Sequence, residues 1–227
     1  MKRSKKARQT GGLYTSIPHD ELFKAIESSV REAFEWAAAQ NGWDIGRVGI
    51  KWAGGSCKWV CCRSNSHSKL GHTVTIDRLI ELVKFLVSNI CINNETISRQ
   101  TIGIPMGTNC APPLANLFLY HYESSYISRV EAEEGVEVAK QFHMTFRLID
   151  DVLSVDNPMI QKALENPYEM GGLYPASLQL NKTSNPDESV DFIGVNIKTL
   201  KTHFRLSVYD ERKSFPFKVP VTPSCVV

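Results

Sequence analysis

The segment TFRLIDDVLSV, residues 145 to 155, allows very few local structures. Met144, Phe146 and Leu148 alternate with Thr145 and Arg147, the period of a half-buried strand, and a second β-prone run follows at VLSVD. Between the runs stand Asp150 and Asp151, so the spacing predicts two short antiparallel strands with an acid pair at the hairpin tip. Adjacent carboxylates repel, and a half-buried turn strips part of their hydration, so the arrangement is costly unless a cation is bound. Carboxylate oxygens are hard ligands suited to Mg2+ or Mn2+, and paired ions of this kind catalyse in-line phosphoryl transfer. Taken alone, most such pairs are turn residues or helix caps.

The rest of the chain reads as alternating helices and strands. SIPHDELFKAIESSVREAFEWAAAQNG predicts a helix capped by Ser16, with Pro18 in its first turn, Leu22, Ile26, Val30 and Phe34 on one stripe, and a stop at Asn41 and Gly42. TIDRLIELVKFLVSNI predicts another, capped by Thr75 or Asp77, with Leu79, Leu82, Val83, Leu86, Val87 and Ile90 inward. CINNETISRQTIGI reads as a hairpin about Asn-Asn, and APPLANLFLYHYESSYISRV as a core helix starting at Pro112 and burying Leu114, Phe118, Tyr122 and Tyr126. PMIQKALENPY predicts a short helix; SLQLN, VDFIGVNI and HFRLSVY predict strands. Residues 43 to 72 lack a clear period and read as an irregular insertion with room for one short strand. The irregular alternation favours an α+β class, a sheet with helices packed on one face.

An apolar content of 42% is ample for a core, and no apolar run is long enough to span a bilayer. The N-terminus is basic without the apolar segment of a signal peptide, so an intracellular protein is expected. Lys2, Arg3, Lys5, Lys6 and Arg8 could touch phosphate or act as a nuclear address, although a solvated, disordered tail over residues 1–12 explains them as well. The net charge of +2 does not by itself advertise a nucleic-acid binder. Six irregularly spaced cysteines suggest free thiols; Cys57, Cys61, Cys62, His67 and His72 have the residue types for Zn2+ but not a standard finger spacing.

GIPMGTNCAP sets Gly103 and Gly107 around Pro105 before a helix, which lets backbone approach a flat or phosphorylated ligand; a tight strand-to-helix turn needs the same residues. In order along the chain, LYTSIPHDEL, QTIGIPMGTNCAPPLANLFLYHYE, FRLIDDVLS and LSVYDERKSFPF resemble the blocks of a reverse transcriptase palm, most of all those of Penelope-like retroelements, whose polymerase is related to telomerase. The resemblance covers roughly residues 10 to 30 and 75 to 220. It implies a palm-like antiparallel sheet with partial fingers, within a domain spanning residues 13–220 and followed by a tail at 221–227. It also implies two Mg2+ or Mn2+ ions, and an RNA template, DNA primer and dNTP as partners.

Residue by residue, the resemblance makes Asp150 the main metal ligand and Asp151 the weaker one. Leu148 stands where the family usually has an aromatic residue near the primer. Met106, Gly107, Ala111 and Pro112 match the loop and helix start that press on the templating base and incoming nucleotide. Tyr14 matches the residue that stacks under the sugar and excludes a 2′-hydroxyl, unless it is an ordinary core tyrosine. Lys182 matches a lysine that helps protonate departing pyrophosphate, or is a surface lysine. Tyr209 begins the tract that grips the primer end, and Arg99 and Gln100 could reach template phosphate or base.

Two-metal chemistry needs one more acid; in the family that the chain resembles it lies on the first palm strand, five residues before the gate tyrosine. Counting back from Tyr14 gives Gln9, in a polar, glycine-rich segment that does not look like a strand. The resemblance therefore begins only at Leu13, which implies a sheet with its first strand missing, an exposed edge, and a chain truncated at both ends. Two functional expectations follow: an RNA-directed DNA polymerase impaired at Gln9, or a catalytically inactive retroelement-derived fragment that at most binds nucleic acid.

Overall fold

The computed structural model describes residues 5–62, 72–89, 91–94, 96–182, 189–200 and 203–209. Strand β1 (Lys5–Gly11) leads into one helical turn, α1 (Leu13–Ser16), and the long α2 (His19–Asn41). Then come β2 (Val48–Ala53), β3 (Ser56–Cys61), β4 (His72–Thr75), α3 (Ile76–Ser88), β5 (Cys91–Asn94), β6 (Thr96–Arg99), α4 (Ala111–Glu134) and the short α5 (Val136–Ala139). The chain continues through β7 (Thr145–Leu148), β8 (Asp151–Val155), α6 (Ile160–Glu165), β9 (Gln179–Lys182), β10 (Val190–Phe192), β11 (Val195–Thr199) and β12 (Phe204–Val208). Among the described residues the strand ladders are all antiparallel, and the class is α+β. No helix among the described residues is long and apolar enough to cross a membrane.

The chain divides into two compact units. The first comprises residues 1–11, 130–165 and 179–227, and its main sheet has the order β7-β8-β1-β9. Here the structure corrects the reading of residues 1–12 as a disordered tail: Lys5–Gly11 is a strand, and an interior one, laddered to β8 on one side and to β9 on the other. Hydrogen bonds to two neighbours satisfy its backbone on both sides, so it needs no apolar alternation of its own. The missing first strand, and the exposed edge it implied, are overturned as well. VDFIGVNI is not one strand but the hairpin β10–β11, turning at Ile193 (φ 49°) and Gly194 (φ 71°). Successive positive φ values make this a type I′ turn, whose twist matches that of the strands. Leu153 of β8 and Val190 of β10 form a buried cluster with Val155, Phe192 and Ile197 packed against it.

The second unit comprises residues 12–129 and 166–178. Helix α2 buries Leu22, Ala25, Ile26, Val30, Phe34, Ala37 and Ala38, spacings of three and four that keep one face inward. Its start is corrected: Pro18 is the N-cap, while Ser16 belongs to α1 and donates its hydroxyl to the Gly12 carbonyl at 2.8 Å. Gly42 (φ 64°) ends it, donating its N–H to the carbonyls of Ala38 and Ala39, as the sequence predicts. The irregular insertion contains a three-stranded sheet, β3-β2-β4, whose Trp59 meets Phe34 of α2 edge to face at 5.0 Å between ring centroids. On α3 the inward stripe is Ile76, Ile80 and Val87; Leu82 and Leu86 are exposed, Leu79 and Val83 half-buried, and Ile90 lies outside the described residues. Thr75 is its N-cap but makes no side-chain cap bond. Leu114, Phe118, Tyr122 and Tyr126 of α4 are all buried as expected. Residues 166–178 are held to α4 by Tyr174, which donates to Glu123 at 2.6 Å, and by Tyr168 edge-on to Tyr122 at 4.9 Å.

Candidate active site

The acid pair sits on the hairpin its sequence predicts. Leu148 and Asp151 are ladder partners, so Ile149 and Asp150 form a two-residue turn and Asp151 opens β8. Val152, Leu153 and Ser154 are buried behind it, and the Thr145 and Ser154 hydroxyls meet at 2.8 Å across the two strands. Ile149 has φ 52°, a left-handed conformation that costs a β-branched residue about 1–3 kcal/mol. The guanidinium of Arg147 donates a long 3.4 Å bond to its carbonyl. Burial, and then the neighbouring Asp150 charge, push the Asp151 carboxyl above its ordinary range. A cation at this tip would relieve both effects.

Gln9 is the ladder partner of Asp151 on one side of β1 and of Asn181 on the other. The position that the resemblance reserves for a third carboxylate is therefore on the strand next to the acid pair, directly opposite one of its members. Lys182 lies on β9 opposite Arg8, one register position from Asn181. Asp150 and Asp151 are adjacent carboxylates, a residue type suited to Mg2+ or Mn2+, and the ladder position opposite Asp151 is taken by Gln9, a residue without charge. Among the described residues no group of three His, Cys, Asp or Glu side chains converges as a metal site. The possible zinc set is not assembled there either: Cys61 ends β3 and Cys62 follows it, so along an extended strand they face opposite ways, and His67 lies outside the described residues.

The second unit holds the predicted nucleotide-binding residues, and it brings the Tyr14 segment against the glycine loop. Ile104 N–H donates to the Tyr14 carbonyl at 2.6 Å, Gly103 N–H to the Ile17 carbonyl at 2.7 Å, and Pro18 bridges Ile102. The Nε2 atom of His19 lies 2.9 Å from the Gly103 carbonyl, closing the clamp from the start of α2. Gly103 (φ 84°) is required here, because a Cβ would strike the Tyr14 carbonyl oxygen and stand 2.9 Å from the Thr15 Cα. The Thr108 hydroxyl ties the loop back to the Pro105 carbonyl at 2.9 Å and leads into α4.

On this frame Met106 and Gly107 are exposed, Pro112 is exposed, Ala111 is buried and Tyr14 is half-buried. Arg99 and Gln100 have local tasks: Arg99 Nε donates to the Ser88 carbonyl at 2.5 Å and Gln100 Nε2 to the Ile102 carbonyl at 2.9 Å. In the first unit Leu148 is exposed, and Tyr209 N–H donates to the Gly194 carbonyl at 2.9 Å; residues 210 to 217 of the primer-grip tract lie outside the described residues. Sequence reasoning missed His19 altogether and misjudged the strand that carries Gln9. Nothing in the order HDEL marks a histidine that holds a loop more than eighty residues away.

No family model matches the chain, and no curated protein matches it. Solved structures do. Telomerase from Candida albicans, in complex with a TWJ fragment of telomeric RNA, superposes over 90% of this chain with a TM-score of 0.55 at 13% identity. Apo telomerase from Candida tropicalis superposes over 90% with a TM-score of 0.52, and its form lacking the C-terminal domain over 91% with 0.51, both at 10% identity. The chain spans about a third of the length of these structures, covering 31%, 32% and 36% of them. At such identities the likeness speaks for the fold alone, and that fold is reverse-transcriptase-like.

Proposed function

We propose that the chain is the palm portion of an RNA-directed DNA polymerase of Penelope-like retroelement descent, adding dNTPs to a primer 3′ end on an RNA template, with its catalytic power reduced at Gln9. The observation that carries this reading is the ladder partnership of Gln9 with Asp151 beside Asp150, which matches the family's arrangement of three acids on two strands. Asp150 and Asp151 would hold Mg2+ or Mn2+, which supplies charge neutralisation and an activated 3′-hydroxyl for in-line displacement. The protein's own part is to fix those carboxylates on a hairpin whose β8 is buried behind the tip. Tyr14, Met106, Gly107, Ala111 and Pro112 would bind the nucleotide, the half-buried Tyr14 ring lying under its sugar. Their clamp of backbone bonds keeps the loop from drifting when a base pair passes. Lys182 would donate a proton to the leaving pyrophosphate, and Leu148 and Tyr209 would pack beside the primer. RNA bound by the Candida albicans telomerase supports a nucleic-acid partner for the shared fold.

A second reading, a binder of nucleic acid without catalysis, is favoured by Gln9 itself. Loss of one carboxylate from a two-metal site commonly removes several kcal/mol of transition-state stabilisation. Primer extension on an RNA template with Mg2+ or Mn2+ separates the two. Incorporation by the purified chain that disappears in an Asp150→Ala, Asp151→Ala double variant supports the polymerase; no incorporation by a folded sample of either leaves the binder.

A further inference from the structure

The small sheet of the second unit stands apart from the rest of the chain in charge. Between Asp44 and Asp77 the sequence contains Arg47, Lys51, Lys58, Arg63 and Lys69 and not one Asp or Glu, whereas the whole chain nets only +2. Within this stretch Lys51 of β2 and Lys58 of β3 are direct ladder partners, with Thr73 of β4 opposite Lys51 on the other side. Like charges placed directly across two strands repel, and such a pair is normally avoided or neutralised. Both lysines are exposed, and among the described residues neither has a carboxylate partner.

The two faces of the sheet differ in a way that explains where the lysines point. Side chains alternate along a strand, so Val48, Ile50 and Trp52 share one face of β2 and Lys51 lies on the other. The first face is the packed one: Val48 is 1% exposed, and Trp59, the ladder partner of Ile50, meets Phe34 of α2. The lysine pair is on the opposite face, where both residues are exposed. Arg47, exposed, lies at the base of the same sheet, where its Nε donates to the Cys62 carbonyl at 3.1 Å. At the open end, beside the Gly54 and Gly55 turn, Trp52 leaves 60% of its surface to solvent.

We infer that the Lys51–Lys58 face of this sheet binds the phosphodiester backbone of a nucleic acid strand. Lysine stems rooted about 5 Å apart on neighbouring strands can each reach a phosphate of one nucleic-acid strand. The repulsion that the pair creates in the free protein is what a polyanion relieves on binding. The inference goes beyond the polymerase reading and does not rest on it, because none of these residues belongs to the acid hairpin or the glycine loop.

The test is fluorescence anisotropy of labelled single-stranded RNA and DNA 20-mers of one sequence, titrated with the full chain between about 50 and 200 mM KCl. Each phosphate neutralised on a single strand contributes about 0.7 to the log–log salt slope, so Lys51→Gln, Lys58→Gln should lower the slope by about 1.4 and weaken binding about twenty-fold at 100 mM salt. A control removing two exposed lysines elsewhere, Lys24→Gln, Lys162→Gln, should change neither, and the first variant should melt no lower than wild type. The RNA and DNA arms say which strand is preferred. Equal slopes for the two double variants overturn the inference, as does binding to phosphatidylserine vesicles with no binding to either oligonucleotide. Loss of incorporation in the Asp150→Ala, Asp151→Ala variant bears on the catalytic reading alone.

Discussion

Replacing Gly103 by alanine is the sharpest test of the clamp between the Tyr14 segment and the glycine loop. The residue has φ 84°, and for an L side chain that conformation costs about 1–3 kcal/mol. The added Cβ also strikes the Tyr14 carbonyl oxygen and lies 2.9 Å from the Thr15 Cα, both rigid backbone atoms. Relief requires the loop to retreat, which weakens the bonds from Gly103 to Ile17 and from Ile104 to Tyr14, each worth about 0.5–1.5 kcal/mol. The expected loss is therefore about 3–5 kcal/mol, a large part of a typical domain's total of about 5–15 kcal/mol. Gly107 provides the control: its φ is 89° but a Cβ there would meet nothing within 4 Å, so Gly107→Ala should cost only the conformational part. Urea unfolding followed by far-UV circular dichroism reads the difference. With a slope near 2 kcal/mol per molar, the midpoint should fall by about 1.5–2.5 M for Gly103→Ala and by about 0.5–1.5 M for Gly107→Ala. Equal shifts for the two variants would refute the backbone contact as the reason for glycine at 103.

Other perturbations check separate parts of the account. Ile193→Asn should raise the melting temperature, because Ile193 is 58% exposed at φ 49° before Gly194, and Asn-Gly is the preferred type I′ pair; a gain of about 1 kcal/mol is expected, and a lower melting temperature would contradict the turn assignment. Burial holds the His121 imidazole below its ordinary value of 6.5, against a smaller opposing effect from Glu32. The unfolded chain then takes up this proton at higher pH than the folded one, so stability should fall as pH drops through 6.5 toward the lowered value. His121→Phe should flatten that part of the melting curve between about pH 7.5 and 5.5, and an unchanged dependence would show that another group sets it.

The acid hairpin was fully legible in the sequence because two local signals agree there: alternation on both sides and a short polar break between. Helix α4 was legible for the same reason, with Pro112 at its start and Leu114, Phe118, Tyr122 and Tyr126 all buried at one spacing. Strand β1 was not legible. KKARQTG has no apolar period, and what makes it a strand is non-local, two neighbours that hydrogen-bond it from both sides. The sheet β3-β2-β4 was hidden likewise, since glycine, cysteine and tryptophan interrupt its pattern and β4 joins β2 only beyond β3 and the segment after it. On α3 the period predicted a helix correctly but the wrong inward residues, because two overlapping stripes are apolar and packing selects Ile76, Ile80 and Val87. The motif carried the identity of Tyr14 and the glycine loop; only the structure revealed His19 as the residue that fastens them together.

The central claim is that a two-metal site survives on the hairpin with its third carboxylate replaced at Gln9. Gln9→Asp restores an acid at the ladder position opposite Asp151, and the direct measurement is Mn2+-dependent dNTP incorporation on an RNA template by this variant beside wild type. The account predicts a rise of at least about tenfold that is abolished when Asp150→Ala is added. Incorporation that stays flat in a folded Gln9→Asp protein, or that rises and survives Asp150→Ala, would contradict it.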